Sequence, residues 1–356
     1  MRRICLGIVA VAAAAVLAAT ALSAAELPKT HVTGVGLNKN TVASSVDEVP
    51  FWSKTIPEAS GGQITATFAP MDVMGVKGHQ VMRMTKLGVV DFGSSDVSKM
   101  AGDDPVFEGC DLAGLALDIE TARAACKAWF PTMAKAAEEL FNIKILAFGA
   151  NSPQVIWCRD EIKGFADLEG KKVRVFNKTM TDFMQAVGAT AVSMPFAEVV
   201  PALQRGVVDC AVTGNLSGNT AGWPEVATHQ FQAIMGWSIN YQSVNLDSWN
   251  RFSPEVQAFF LEQFAALEDQ MWETAAEATA DADSCNFGGG ECKLGKPAAP
   301  PLTNVPVSDA DKVLHKQLMQ NVVLVEWGKR AGKERAQEWN ETVGKVVGLS
   351  IPLDKL

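Results

Sequence analysis

The chain has 356 residues, 48% of them hydrophobic and 20% charged, and its 31 Lys and Arg against 40 Asp and Glu give a net charge of −9. That length exceeds a single ordinary core and points to two domains. The acidic balance, with no basic patch interleaved with aromatics, argues against nucleic acid as a partner.

Arg2 and Arg3 precede an apolar run, Ile4 to Leu22, and then the small residues Ser23, Ala24 and Ala25. This is the pattern of a secretory signal cleaved near Ala25, and it implies export. No other apolar run of about 18 residues follows, so no membrane span is expected in the mature chain. Cys5 leaves with the signal, and Cys110, Cys126, Cys158, Cys210, Cys285 and Cys292 remain. An even number in an exported chain favours disulfides. Cys285 with Cys292 closes a short loop around Gly288-Gly289-Gly290, and Cys110 is paired with Cys126. That leaves Cys158 with Cys210, each on or beside a strand. There is no C-x-x-C, and the four His are scattered, so no metal site and no cofactor is expected.

His31–Asn38 reads as a strand, Thr41–Ala59 as a helix with uncertain ends at Pro50 and Pro57, and Ile64–Pro70 as a second strand with period-two alternation. Gly78–Leu87 reads as a helix stopped by Gly88, and Val89–Gly93 as a third strand. This βαβαβ order implies a largely parallel sheet with helices on its faces. Ile143–Phe148 is a buried strand running into Gly149–Pro153, a crossover to the second domain. Trp237–Leu246 is the return crossover. From Ser253, an N-cap, and Pro254 the chain is helical to about Ala282. Helices over about Ser308–Lys329 and Glu334–Val347 end it. The tetrapeptide Gly88-Val89-Val90-Asp91 recurs as Gly206-Val207-Val208-Asp209, each copy following a helix.

The densest pattern runs from Leu168 to Asn215. Val173, Val175 and Phe176 form a short strand, a helix follows from about Thr179 to Gly188, and Ala191–Met194 is a second strand. Ala197–Arg205 is helical, and Val207 and Val208 enter a third strand. Arg174 sits between valines in the first strand, where a cation is costly unless something anionic meets it. The anion is either a carboxylate ligand or a protein carboxylate such as Asp209.

This block closely resembles the solute-binding proteins of tripartite ATP-independent periplasmic (TRAP) transporters, the DctP-like family. Gly170-Lys171-Lys172-Val173-Arg174-Val175 matches that family's G-K-K-x-R-x motif, whose Arg pairs with the solute carboxylate. Gly188-Ala189, Glu198–Gly206 and Val208-Asp209 match its following segments. The resemblance implies a two-domain α/β periplasmic binding fold, each domain a mixed, mostly parallel sheet flanked by helices, joined by crossover strands and a long spanning helix. In those terms residues 26–149 with about 240–270 form domain I, and 150–239 with about 271–356 form domain II.

The same resemblance makes Arg174 a carboxylate clamp. Asn177 and Asn215 are amides reaching the same ligand end, with Thr213 competing with Asn215, and with loop Asn residues satisfying local backbone groups as the alternative for both. Phe196 is an aromatic that packs on solute, with core packing as its alternative. Gln154 stands near where several relatives carry a second cation; the lack of that charge here suits a monocarboxylate, aromatic or branched given the Trp content. Trp237 is either a stacking platform for that solute or core. Asn38, Ser94, Ser95 and Asp96 follow strand ends, where ligands of open α/β sheets bind, although ordinary turn chemistry explains them equally. The implied partners are the small and large permease subunits of a TRAP transporter. A binder serving a sensor kinase is the alternative, and a periplasmic enzyme a weaker one, because no nucleophile–base pair is visible. Gly290–Lys296 has phosphate-loop spacing but ends at Pro297 where a hydroxyl is needed. Lys39 occupies the third glycine position of a dinucleotide fingerprint after Gly34-Val35-Gly36.

Overall fold

The structure, a computed structural model, describes residues 27–356. The signal segment lies outside the described residues. Eleven strands are described: β1 (Thr30–Gly36), β2 (Ile64–Pro70), β3 (Phe92–Asp96), β4 (Ile143–Gly149), β5 (Gln154–Cys158), β6 (Lys172–Val175), β7 (Thr190–Ser193), β8 (Cys210–Gly214), β9 (His229–Phe231), β10 (Asn240–Asn245) and β11 (Thr303–Val305). They form two sheets, ordered β2-β1-β3-β10-β4 and β11-β9-β5-β8-β6-β7.

Both sheets are built the same way. In the first, β1 lies parallel to β2 and β3; in the second, β6 lies parallel to β7 and β8. Helices connect these parallel strands, since a parallel return needs a crossover. Each sheet then receives one strand that has arrived from the other. β10 is antiparallel to β3 and β4, and β5 is antiparallel to β8 and β9. The sheets are therefore mixed, with the expected βαβαβ order at the heart of each.

The tetrapeptide repeat has a structural meaning. Gly88 and Gly206 both take positive φ, 66° and 70°, which glycine adopts without a Cβ penalty. The next valine returns its N–H to the finished helix, Val89 to Met84 O and Val207 to Ala202 O, both at 2.9 Å. The aspartate then grips the neighbouring strand. Asp91 Oδ2 accepts from Thr33 N and Asp209 Oδ2 from Lys172 N, each at 2.8 Å, while each Asp N–H donates to the carbonyl of that same residue. These turns displace two expected strand starts. Val89 and Val207 are exposed, and the strands begin at Phe92 and Cys210.

The helix Pro254–Phe287 is 34 residues long, about 51 Å at 1.5 Å per residue, and Ser253 caps it. Val256, Phe260, Phe264, Leu267 and Met271 pack with Phe92, Trp52 and Val32 against the first sheet. Gly149 makes that approach possible, since a Cβ there would stand 2.4 Å from Met271 Cε. The far end of the helix joins Leu216, just past β8, and Asn286 Nδ2 donates to Asn215 O at 2.7 Å. The helix Ile119–Phe141 was not read from the sequence. Pro131 in its interior looks like a breaker, yet a buried stripe of Ala125, Trp129, Met133 and Ala137 holds it. Strands β9 and β11 also escaped the sequence reading, and β5 was seen only as a strand at or beside Cys158.

Three disulfides form. Cys110–Cys126 ties an irregular loop to the helix Ile119–Phe141, Cys158–Cys210 joins directly opposed residues of β5 and β8, and Cys285–Cys292 closes the end of the long helix. Among the described residues no helix is long and apolar enough to cross a membrane.

Because each repeat aspartate holds a strand start through a charged hydrogen bond, Asp91→Ala and Asp209→Ala should each lower stability in urea unfolding by roughly 1–2 kcal/mol. A neutral result for both would leave the repeat without a structural role.

Candidate functional site

A cleft of about 590 Å³ opens between the two sheets. One wall comes from the ends of β1 and β3 and the segment Met71–His79; the other from β6, β7, β8 and the turn Met194–Glu198. The two crossovers close its back. They run side by side, with Asn151 N–H on Trp237 O at 3.0 Å and Gln154 N–H on Gly236 O at 2.8 Å. Ligand sites at the carboxyl ends of strands follow from this kind of sheet.

Arg174 is 2% exposed and lines the cleft. Its Nε donates to Met194 O at 3.2 Å and its Nη1 to Val212 O at 2.7 Å. Its Cζ stands 5.3 Å from the centroid of the Phe176 ring. Two carbonyls orient the guanidinium, but they do not neutralise it, and no carboxylate of the described residues lies within 4.0 Å of its nitrogens. Asp209, the alternative partner, is committed to Lys172 N. Burial pulls the Arg174 pKa down, to about 9, while the Asp96 carboxylate acts in the opposite direction. An anion in the cleft would oppose that shift by its charge, as Asp96 does.

Phe196, Thr213, Gln154 and Asn38 also line the cleft, as do Ser95 and Asp96. Phe196 stacks on Trp223 at 5.8 Å. Gln154 is oriented by its own Nε2 bond to Ser152 O at 2.8 Å.

Four other expected residues are placed elsewhere. Asn177 is an N-cap, its Oδ1 accepting from Met180 N at 2.8 Å, and the residue before it, Phe176, faces the cleft instead. Asn215 is buried against the long helix; of the two competing positions, the structure puts Thr213 at the cleft. Trp237 is 2% exposed and turned into the core, with Nε1 donating to Ala116 O at 3.1 Å; its neighbour Ser238 lines the cleft. Ser94 is buried and donates to Glu48 Oε1, because alternate residues of β3 face opposite ways and Ser95 has the cleft side.

The sequence reading missed the groups that hold the walls. Glu48 is buried beneath the first wall, and its Oε2 accepts from Leu37 N at 2.7 Å while Gln242 Nε2 reaches its Oε1 at 3.2 Å. This fixes the end of β1, from which Leu37 and Asn38 enter the cleft. Burial pushes the Glu48 pKa up to about 7. Asp111 lies behind the return crossover and accepts from Trp237 N at 2.8 Å and Ile239 N at 3.3 Å; burial likewise raises it to about 7. Between those two residues Ser238 has φ 48°, an uncommon conformation for a non-glycine residue, and its Oγ bonds Asp96 Oδ2. Lys77 and Glu198 face each other across the mouth at 3.8 Å, both well exposed. One His/Cys/Asp/Glu cluster with metal-like spacing is found among the described residues, Asp281 with Cys285 and Cys292, but its sulfurs are bonded to each other.

Comparison with known proteins gives a consistent picture. The family model for DctP, bacterial extracellular solute-binding protein family 7, matches residues 39–287. A monocarboxylate 2-oxoacid-binding periplasmic protein of Nostoc is 26% identical over 220 residues, 58% of this chain and 58% of that protein. The 2,3-diketo-L-gulonate-binding periplasmic protein of Escherichia coli is 28% identical over 156 residues, 43% of this chain and 47% of its own length. The chain thus spans about half the length of these curated relatives. Among solved structures, a Bordetella pertussis extracytoplasmic solute receptor binding pyroglutamic acid superposes with a TM-score of 0.77 at 20% identity, covering 88% of this chain and 98% of that one. A Haemophilus influenzae TRAP solute-binding protein with bound L-gulonate gives 0.75 at 20% identity, covering 89% and 99%. At such identities these structures establish the fold.

The Glu48 carboxyl holds its proton more tightly in the folded chain than in the unfolded one, where its ordinary value is 4.5. The stability this proton contributes is complete below pH 4.5 and gone above about 7. Thermal unfolding of the wild type is therefore expected to occur at lower temperature as pH rises across that window, and the slope should be shallower in Glu48→Gln. An identical slope in the two proteins would contradict the raised value.

Proposed function

The chain belongs to the DctP family of bacterial extracellular solute-binding proteins, the TRAP type, and from that membership we propose that it captures a small organic acid in the periplasm and delivers it to the small and large membrane subunits of its transporter. Members of this family are binding receptors and not enzymes, so the site has to recognise and release its solute without covalent chemistry. The observation that carries the acid assignment is Arg174: buried, lining the cleft, oriented by two carbonyls and lacking a protein carboxylate. A guanidinium fork held this way suits a carboxylate, which accepts two parallel hydrogen bonds from it. Phe196, Thr213, Gln154 and Asn38 form the surroundings that select among acids.

In this reading the signal segment is removed near Ala25. Residues 26–149 with about 240–270 form one lobe, and 150–239 with about 271–356 form the other. Binding closes them about the paired crossovers, and the closed form is what the membrane subunits recognise. The relatives named for 2-oxoacid and 2,3-diketo-L-gulonate binding support an acid as the cargo class.

Arg174→Ala should weaken binding of a stabilising carboxylate at least tenfold, the loss expected of a charge-assisted pair worth about 1.5–3 kcal/mol. Arg174→Lys should fail similarly, because an ammonium cannot offer the fork. The empty variants should lose less stability than the 3–5 kcal/mol that breaking a buried ion pair costs, about what a structural role would require. Calorimetric affinity and apo melting temperature decide it together. Retained affinity with a much less stable apo protein would overturn the clamp, as would a melting-temperature screen in which neutral sugars alone stabilise the wild type.

A further inference from the structure

The cleft has a second cation, and it comes from the opposite wall. Lys99 closes the short 3₁₀ turn Val97–Lys99 directly after β3. Its Nζ donates to Phe176 O at 2.8 Å, reaching from the first sheet's side to the second's. The same Nζ stands 5.0 Å from the centroid of the Phe176 ring, the ring that Arg174 Cζ approaches at 5.3 Å. The two charges therefore lie no further apart than the sum of those distances, both beside the same aromatic ring. Gly78 leaves room for the lysine stem, since a Cβ there would come 3.0 Å from Lys99 Cγ.

Lys99 has counter-charges nearby but no ion pair among the described residues within 4.0 Å. The charged groups that act on it are Asp96, Arg174 and Glu108. Asp96 is occupied by Ser98 N–H and by the hydroxyls of Ser98 and Ser238. Glu108 is turned toward Arg330 and Lys178 N. Burial and the Arg174 charge both lower the proton affinity of Lys99. A cleft with two cations so placed is poorly matched by an acid that offers one carboxylate and nothing else. Such a ligand answers Arg174 and leaves the ammonium desolvated beside it.

We propose that Lys99 contacts the ligand and makes the cleft selective for acids that carry a further oxygen acceptor near the carboxylate: an oxo group, a hydroxyl or a second carboxylate. This rests on Arg174 being the carboxylate clamp. The ammonium then supplies, from the first wall, the hydrogen bonds that the guanidinium supplies from the second. One ligand that bridges the two also holds the walls together. An anionic ligand restores the proton affinity of Lys99, so at alkaline pH binding takes up protons, and affinity falls as pH rises from the lysine's value in the empty protein toward its value in the complex.

The test uses matched acids against the full mature protein by calorimetry: butanoate, 2-oxobutanoate and 2-hydroxybutanoate; 3-phenylpropanoate, phenylpyruvate and phenyllactate; and succinate. The wild type should bind an oxygen-bearing member at least tenfold tighter than its unsubstituted parent. Lys99→Met should lose that preference, weakening the oxygen-bearing acids by at least tenfold more than their parent, and its proton uptake at alkaline pH should shrink. Lys99→Arg, which retains the charge, should keep the preference and controls for a folding defect in the methionine variant. The proposal is overturned if the wild type shows no preference, if Lys99→Met keeps it, or if Lys99→Met weakens parent and substituted acids equally. Arg174→Ala run in parallel separates the two readings. If it loses binding while Lys99→Met keeps the preference, only the second-acceptor inference fails. If it keeps binding, or if the wild type binds none of these acids, the acid reading fails, and this inference with it.

Discussion

A guanidinium removed from water without a neutralising carboxylate is the interaction around which this molecule is organised. Arg174 sits in a four-residue strand between two fully buried valines. Its position is set by backbone carbonyls from β8 and from the turn after β7, so the two neighbouring strands of its own sheet aim it. Carbonyl dipoles orient a cation but leave its full charge to be met by something else. On the proposed reading the deficit is made good when cargo arrives, and a charge satisfied only by cargo gives the loaded state a free-energy advantage that the empty state lacks.

The rest of the fold serves to present that charge. Parallel strands place their carboxyl ends on one side, and the helix-stop turns with their aspartates fix where each strand begins. The antiparallel strands β5 and β10 are where the chain changes sheets, so the two sheets are connected by backbone at the rear of the cleft. Asp111 gathers the N–H groups of the return crossover on its carboxylate, which keeps that buried segment satisfied while it lies outside regular structure.

Most of this architecture was legible in the sequence because its signals are local. Glycine stops, the Ser253 cap and the apolar periods of the block from Leu168 to Asn215 mark elements without reference to distant residues. Arg174 was legible for the same reason: a charge in an apolar strand is a local contradiction. The errors arose where one local pattern serves two purposes. Val89-Val90 and Val207-Val208 look like strand starts but are the exits of helices. The family resemblance made Asn177 a ligand amide, and the structure gives it the alternative role of satisfying local backbone, as a helix cap. Lys99 carried no sequence signal at all, because its neighbourhood is made by Phe176, which is 77 residues away.

The long helix imposes a mechanical condition. Its first half is embedded among the aromatic residues of the first sheet, while its end is tied to the second by Asn286, by Leu216 and by the loop that Cys285–Cys292 closes. A continuous rod fixed at both ends cannot follow a rotation of one sheet against the other without bending or letting one attachment slide. The crossovers alone would permit a wide swing; the rod makes the opening angle stiff, and any excursion is opposed by a restoring force that grows with its size.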